Sequence, residues 1–309
     1  MALELVGFAT PRRARGKSQK SLDLIEAAAA ILEEIQPATV RAVCYRLFVA
    51  GFIDGMTKGN TNRVSRQLVG ARETGRIPWE WIVDETREAE RTAAWSDPEA
   101  IIKAAVSQYR KDHWSAQPHW VEVWSEKGTV RGTLAPVLNE YGVTFRVMHG
   151  YGSATAIQSI ASETADNPKP LTVLYVGDWD PSGLHMSEED LPSRLARYNG
   201  VATIRRVALT ESDTTDRGLP HFEAGTKVND PRYSWFVRRY GVRCWELDAL
   251  PPPILRQRVE SEIVALLDPD TWEHSRMIER AEIESMAGIM DTWYASKLRQ
   301  ASNCPKGAK

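Results

Sequence analysis

Residues 171–183 read LTVLYVGDWDPSG. The first six are almost all apolar, and this length and composition are typical of a strand buried in a parallel sheet. Two carboxylates follow, Asp178 and Asp180, and in an extended segment they would share one face. Pro181 and Gly183 favour a turn that brings both carboxylates toward one point. We therefore expect a buried strand that ends in a pair of convergent acids.

A second segment of the same kind lies upstream at residues 119–126, which read HWVEVWSE and end in a carboxylate. Residues 129–141 then have the length of a helix, which Gly142 would end. Residues 183–198 can likewise form a helix after the other strand, with a break near Pro192. Two strand-then-helix units predict an α/β fold with parallel strands.

The carboxylates that follow these two strands are the candidate metal ligands. In an open parallel sheet, functional groups gather beyond the carboxyl ends of the strands, where Glu126, Asp178 and Asp180 would lie. Oxygen ligands without a nearby Cys or His cluster favour Mg²⁺ or Mn²⁺ over zinc. The alternative is that all three are solvated acids near helix N-termini, where negative charge is favourable in any case.

These motifs resemble the Toprim domain of the topoisomerase VI A subunit and of its relative, the meiotic double-strand-break transesterase. The likeness rests on Glu126-Lys127 after a first strand and on the DWDPSG motif after a third. Residues 144–148 would be the second strand, 153–164 a helix, and 203–209 the fourth strand. The resemblance covers roughly residues 118–210 and implies a parallel four-stranded sheet flanked by helices.

The N-terminal part predicts three short helices. They are expected over Ser21 to Ile35, from a cap at Thr39 to about Ala50, and over Asn62 to Ala71. A basic last helix favours a helix-turn-helix or winged-helix module, although such bundles also occur without a DNA role. The candidate DNA-binding residues belong to a basic arm and to a basic stretch that ends the module, and they are Arg12, Arg13, Lys58, Arg63, Arg66 and Arg72.

The resemblance also points to a nucleophile. In the A-subunit family, the DNA-binding module carries the DNA-cleaving tyrosine a few residues after an arginine, and residues 41–45, RAVCY, look similar. Tyr45 is thus the candidate nucleophile and Arg41 the candidate phosphate clamp. A phenol has an ordinary pKa near ~10, so a cationic neighbour is needed to favour the phenolate. The family often has two adjacent tyrosines, whereas Cys44 stands here, and a tyrosine on a short helix is also a common core residue.

The resemblance further implies double-stranded DNA as substrate, a reversible phosphotyrosyl link, and a homodimer in which the tyrosine of one protomer meets the metal site of the other. The family works with an ATPase partner. This chain has no Gly-x-x-x-x-Gly-Lys run, so any ATP dependence must come from a separate ATPase subunit or be absent. The chain would be a short bacterial or phage member.

The division into domains that we predict consists of a flexible basic arm, a winged-helix-like domain, a linker, a Toprim domain and a helical C-terminal extension, over residues 1–20, 21–95, 96–117, 118–215 and 216–309. In the extension, Glu246 and Asp248 lie two residues apart and could hold a second ion, although such pairs are more often structural or solvated. A helix is expected from Ile254 to Leu267 and another from about Met277 to Gln300.

Composition limits the remaining choices. The 309-residue chain has a net charge of only -2, so a nucleic-acid role has to rest on local patches. Its three cysteines are widely separated and have neither metal-site nor disulfide-framework spacing, which favours a reducing cytoplasm. No segment has the ~20 apolar residues that a membrane span needs.

Three hypotheses about function remain. The first is a DNA-cleaving transesterase that uses Tyr45. The second is a hydrolytic Toprim nuclease, similar to those of plasmid- or phage-defence systems, in which water attacks and Tyr45 only packs. The third is a non-catalytic DNA-binding subunit with empty carboxylates.

Overall fold

The structure is a computed structural model that describes residues 18–83, 94–148, 154–215 and 218–302, except for the side chains of 289–291 and 295–302. The chain divides into two compact units, the first ending at Ile82 and the second beginning at Val83. Arg12, Arg13 and the rest of the predicted basic arm before Ser18 lie outside the described residues.

The first unit contains the three predicted helices, α1 (Gln19–Ile35), α2 (Val40–Val49) and α3 (Lys58–Glu73), with a small sheet of β1 (Ala38–Thr39) and β2 (Ile82–Val83). The predicted cap of α2 is confirmed, because Oγ1 of Thr39 accepts a hydrogen bond from the Ala42 N–H at 3.0 Å. Helix α3 begins four residues before the predicted start, since Thr57 caps it through the Asn60 N–H. Apolar faces of the three helices share one core, which includes Leu24, Ile25, Leu32, Val43, Leu47, Val64 and Leu68.

The second unit is built on the parallel four-stranded sheet that the sequence predicts. Its strands are β3 (Trp120–Ser125), β4 (Thr144–Val147), β5 (Leu171–Val176) and β6 (Ala202–Ala208), in the order β4-β3-β5-β6. Strand β5 is buried along its whole length, which explains its continuous apolar composition. The fold class is therefore mixed α/β with a parallel sheet flanked by helices.

The helices of the second unit up to residue 215 are α4 (Pro98–Gln108), α5 (Val130–Tyr141), α6 (Ala154–Asp166), α7 (Pro181–His185), α8 (Leu191–Arg197) and α9 (Glu211–Thr215). Helix α5 ends as predicted at Gly142, whose φ of 61° is left-handed. The irregularity expected at Pro192 lies just before it, because residues 186–190 form a π-helical turn that joins α7 to α8. Pro192 follows this turn as the second residue of α8 and, because it has no N–H, donates no hydrogen bond to it.

The C-terminal region contains β7 (Phe222–Glu223), α10 (Tyr233–Tyr240), β8 (Arg243–Cys244), α11 (Pro252–Ala265) and α12 (Pro269–Ser302). It is mostly helical, as predicted, but β7 and β8 add a small antiparallel sheet. Helix α12 begins eight residues before the predicted start and contacts α4, where the Tyr109 hydroxyl donates to Glu282 at 2.6 Å. None of the helices in the described residues combines the length and the apolar character that crossing a membrane requires.

Candidate functional site

The sheet order brings the three predicted acids to one place. Strands β3 and β5 are parallel neighbours, and Ser125 pairs with Val176 at their carboxyl ends. Glu126 follows the first strand directly, and Asp178 follows the second after one glycine. Burial raises the pKa of Glu126 above its usual range, and the negative charges of Asp180 and Asp178 raise it further. The three carboxylates therefore interact electrostatically in one partly desolvated cluster.

Each carboxylate of the loop that carries the two aspartates accepts a backbone hydrogen bond. Asp180 caps α7, because its Oδ1 accepts from the Gly183 N–H at 2.7 Å, and the residue is only 3% exposed. Oδ1 of Asp178 accepts from the Leu247 N–H at 2.8 Å. Between them, Trp179 pairs with Trp245 through two backbone hydrogen bonds of 2.9 and 3.0 Å. The segment after β8 thus fixes the loop from outside the sheet.

Two lysines offset part of the negative charge of this cluster. Nζ of Lys127 lies 2.9 Å from Oδ1 of Asp178 and 3.3 Å from Oδ2 of Asp248, while Lys227 is ion-paired with Oδ2 of Asp180. Burial lowers the pKa of each lysine, but the carboxylates outweigh it and leave both pKa values above the ordinary range. Both lysines are therefore charged at neutral pH.

Glu246 and Asp248, the predicted ligands of a second ion, lie beside the first cluster. Asp248 shares Lys127 with Asp178, and the charge of Glu246 also raises the pKa of Lys127. Glu246 and Asp248 therefore extend the cluster of Glu126, Asp178 and Asp180 and do not form a separate site. Lys227 of the C-terminal extension adds a positive charge that the sequence did not reveal, because a lysine in an irregular segment has no distinguishing pattern.

Arg206 on β6 is the second residue that sequence reasoning missed. Nη1 of this half-buried guanidinium donates to the carbonyl oxygens of Gly177, Asp178 and Leu209 at 3.0, 3.2 and 3.1 Å. Nη2 donates to the Gly183 carbonyl at 2.6 Å. Desolvation lowers the pKa of Arg206 from its usual value. A basic residue in the predicted fourth strand was the available signal, since an arginine that is withdrawn from solvent needs hydrogen-bond partners.

Glycines at two positions allow this packing. A Cβ at position 177 would lie 2.7 Å from Cε1 of Tyr175, whose ring packs under the loop. A Cβ at position 183 would overlap the carbonyl oxygen of Asp178. The glycine that follows β5 and the glycine of the turn are therefore required by close approach.

The carboxylate oxygens at this site are suitable ligands for a hard divalent cation. In this structure, however, lysine ammonium groups occupy the positions next to those oxygens. Carboxylate oxygens are the ligands that Mg²⁺ and Mn²⁺ prefer. In the part of the chain that the structure describes, no group of three or more His, Cys, Asp or Glu side chains is arranged as a metal site. Lys127 and Lys227 instead contact the oxygens of Asp178 and Asp180. A cation would have to compete with them.

The candidate nucleophile lies in the first unit. Tyr45 is on α2 and is only 5% exposed, and Cζ of Arg41 lies 5.9 Å from the centroid of its ring. Arg41 and Tyr45 are thus close together, as their spacing on one helix requires. The neighbouring Cys44 is buried, and desolvation raises the pKa of its thiol to about 11.

The candidate DNA-binding residues of the first unit fall into two groups. Lys58, Arg63 and Arg66 are exposed on α3, so they are accessible to a ligand. Arg72 is half-buried, because its Nη2 donates to the Trp79 carbonyl at 2.8 Å and its guanidinium lies 4.2 Å from the Trp79 ring centroid. Arg72 therefore connects α3 to the turn that follows it.

No protein-family profile matches this chain, and no curated protein shows significant similarity to it.

Proposed function

We propose that this protein cleaves double-stranded DNA in a metal-dependent reaction, with Tyr45 as the nucleophile, in the manner of the topoisomerase VI A subunit that it resembles. The observation that supports the proposal best is the convergence of Glu126, Asp178 and Asp180 at the carboxyl edge of neighbouring parallel strands. A carboxyl group such as Glu126, whose pKa is raised by burial and by neighbouring acids, is typical of functional sites.

Residues of the second unit would bind the cation and would keep the loop that carries its ligands in position. Glu126, Asp178 and Asp180 are the proposed ligands, and Arg206 keeps the aspartate loop in place through its carbonyl oxygens. A divalent ion bound there would offset the negative charge that develops on a phosphodiester during cleavage.

The first unit would bind DNA and supply the nucleophile. Its three helices, with Lys58, Arg63 and Arg66 exposed on the last, support a winged-helix-like role in which cations contact phosphates. In the chemical step, the Tyr45 oxygen bonds to phosphorus as the bond to a sugar oxygen breaks. The phenol loses its proton, and the sugar oxygen gains one. Arg41 is the proposed contact to the phosphate.

The partners that complete this proposal are a second copy of the chain and, for any ATP dependence, a separate ATPase subunit. A dimer would let Tyr45 of one protomer serve the carboxylates of the other. Sedimentation of the protein with and without a DNA duplex measures the proposed dimer.

A hydrolytic Toprim nuclease is the second candidate, and the burial of Tyr45 favours it. At 5% exposure, the phenol is not accessible to a DNA phosphate in the described state. Transesterification therefore requires α2 and its surroundings to rearrange when DNA binds, whereas attack by water does not.

The deciding experiment is incubation of supercoiled plasmid with Mg²⁺ or Mn²⁺, followed by denaturation with and without protease. Wild type is compared with Tyr45→Phe, Asp178→Ala and, as a matched control, Asp166→Ala, which changes an exposed aspartate at the end of α6. Transesterification predicts protein-linked ends that are lost in Tyr45→Phe. Hydrolysis predicts free ends that persist in Tyr45→Phe and are lost in Asp178→Ala. DNA binding without cutting under any condition would support the non-catalytic subunit and contradict the proposal.

A further inference from the structure

Both carboxylate oxygens of Asp180 have a partner in this structure. Its Oδ1 accepts the Gly183 N–H at 2.7 Å, and its Oδ2 is ion-paired with Nζ of Lys227. The carboxylate is almost fully buried, whereas the lysine side chain is 34% exposed. Oδ1 faces its own helix, so Oδ2 is the oxygen left for an external ligand, and the lysine covers it.

Lys227 differs from Lys127 in how firmly it is held. Lys127 contacts two carboxylates and keeps Asp248 if it leaves Asp178. Lys227, at the end of a short 3-10 turn after β7, has one ion-pair partner among the described residues, namely Asp180. Its Nζ also lies 5.6 Å from the centroid of the Phe222 ring, which offers the ammonium a second position.

We propose that Lys227 and a divalent cation bind Asp180 in alternation, so that the ammonium covers Oδ2 in the metal-free protein and leaves it when the cation binds. The proposal rests on the metal-dependent function proposed above. A divalent cation and an ammonium cannot both contact one oxygen, because their repulsion in a partly desolvated site is strong. The lysine stem is long and flexible enough to move without the backbone.

Alternation also accounts for the arrangement of the acids. Without the cation, Glu126, Asp178 and Asp180 would repel one another in a partly buried site. Lys227, brought in from the C-terminal region, offsets this repulsion. When the cation displaces Lys227, the ammonium group stays beside the site and could contact a DNA phosphate there.

The test is lysine acetylation of the full-length protein, quantified by mass spectrometry with and without Mn²⁺. We expect acetylation of Lys227 to rise roughly tenfold with Mn²⁺, equivalent to about 1.4 kcal/mol of lost pairing. Lys103, which is 57% exposed on α4 and paired with Glu99, is the internal control and should not change. In Asp180→Asn, Lys227 should react quickly even without Mn²⁺.

Calorimetric titration with Mn²⁺ gives an independent measurement. Lys227→Met should bind Mn²⁺ roughly tenfold more tightly than wild type, and Lys103→Met should bind it as wild type does. If Lys227→Met fails to fold, the acetylation of Lys227 in the wild-type protein, with and without Mn²⁺, still tests the proposed alternation.

The outcomes separate this inference from the proposed function. If Mn²⁺ binds while the reactivity of Lys227 stays constant or falls, alternation is wrong and the metal site stands. If Mn²⁺ does not bind at all, both proposals fail. If Mn²⁺ binds and releases Lys227 but no DNA is cut, alternation is supported and the proposed cleavage is contradicted.

Discussion

Nη2 of Arg206 donates a hydrogen bond to the carbonyl oxygen of Gly183 at 2.6 Å. The guanidinium also binds the carbonyls of Gly177 and Asp178, so one cation on β6 holds both ends of the loop that carries the proposed metal ligands. The guanidinium lies 5.0 Å from the centroid of the Tyr175 ring. Strands β5 and β6 thus both contribute to the conformation of this loop.

Replacement of Arg206 by methionine should therefore destabilise the protein and weaken Mn²⁺ binding together. Each buried carbonyl left without a donor costs about 1–3 kcal/mol. The carbonyls of Gly177 and Gly183 keep the Leu209 N–H and the Ser187 hydroxyl as donors, so we expect the loss of the other two bonds to lower the free energy of unfolding by at least ~2 kcal/mol. Urea unfolding and calorimetric Mn²⁺ titration measure the two effects. The matched control is Arg205→Met, whose exposed pair with Glu262 at 2.5 Å should contribute less than ~1 kcal/mol. Equal stability of the two variants would contradict the assigned role.

The close approach at Gly183 predicts a second effect. In Gly183→Ala, the added Cβ would overlap the Asp178 carbonyl oxygen, and displacement of the loop should cost about 1–3 kcal/mol and abolish Mn²⁺ binding. Gly288→Ala is the control, because a Cβ at that helical position meets no atom within 4 Å. It should bind Mn²⁺ normally and be up to ~1 kcal/mol more stable than wild type, as expected for alanine in a helix. Unchanged Mn²⁺ affinity in Gly183→Ala would show that the loop tolerates the shift.

The pair of Asp213 and Arg258 predicts a pH dependence of stability. Burial alone would raise the pKa of Asp213, but hydrogen bonds from Arg258 at 2.6 and 2.8 Å, and from the Thr210 N–H, leave it below its ordinary value. Because the folded pKa is depressed, the stabilisation is present above the unfolded pKa of ~3.9 and is lost as pH falls through the folded pKa.

Urea unfolding at a series of pH values measures this effect. Wild type should exceed Asp213→Asn in stability near neutral pH, and the difference should shrink as the pH falls below ~4. Asp166→Asn, at an exposed position, should follow the wild-type curve throughout. A difference between wild type and Asp213→Asn that stayed constant with pH would mean that the charge of Asp213 does not contribute.

Several features of this protein could be predicted because they depend on neighbours in the sequence. The apolar run of β5, the cap at Thr39 and the end of α5 at Gly142 each arise from local preferences, and each forms where the sequence indicates. The start of α12 could not be predicted, because its first turns are held by contacts with distant residues. Trp272, for example, packs against His113 with ring centroids 4.8 Å apart.

The sequence by itself determined that two strands end in carboxylates, because apolar strand patterns and turn residues impose their preferences on a few neighbouring positions. Tertiary structure decided what meets those carboxylates. Leu247 contacts Asp178 from 69 residues away, and Lys227 contacts Asp180 from 47 residues away. Both contacts form because the C-terminal region packs against the sheet. Hydrogen bonds and ion pairs depend on the distance between groups in the folded protein, not on their separation in the sequence. No local pattern records which distant lysine a folded chain brings to a given aspartate.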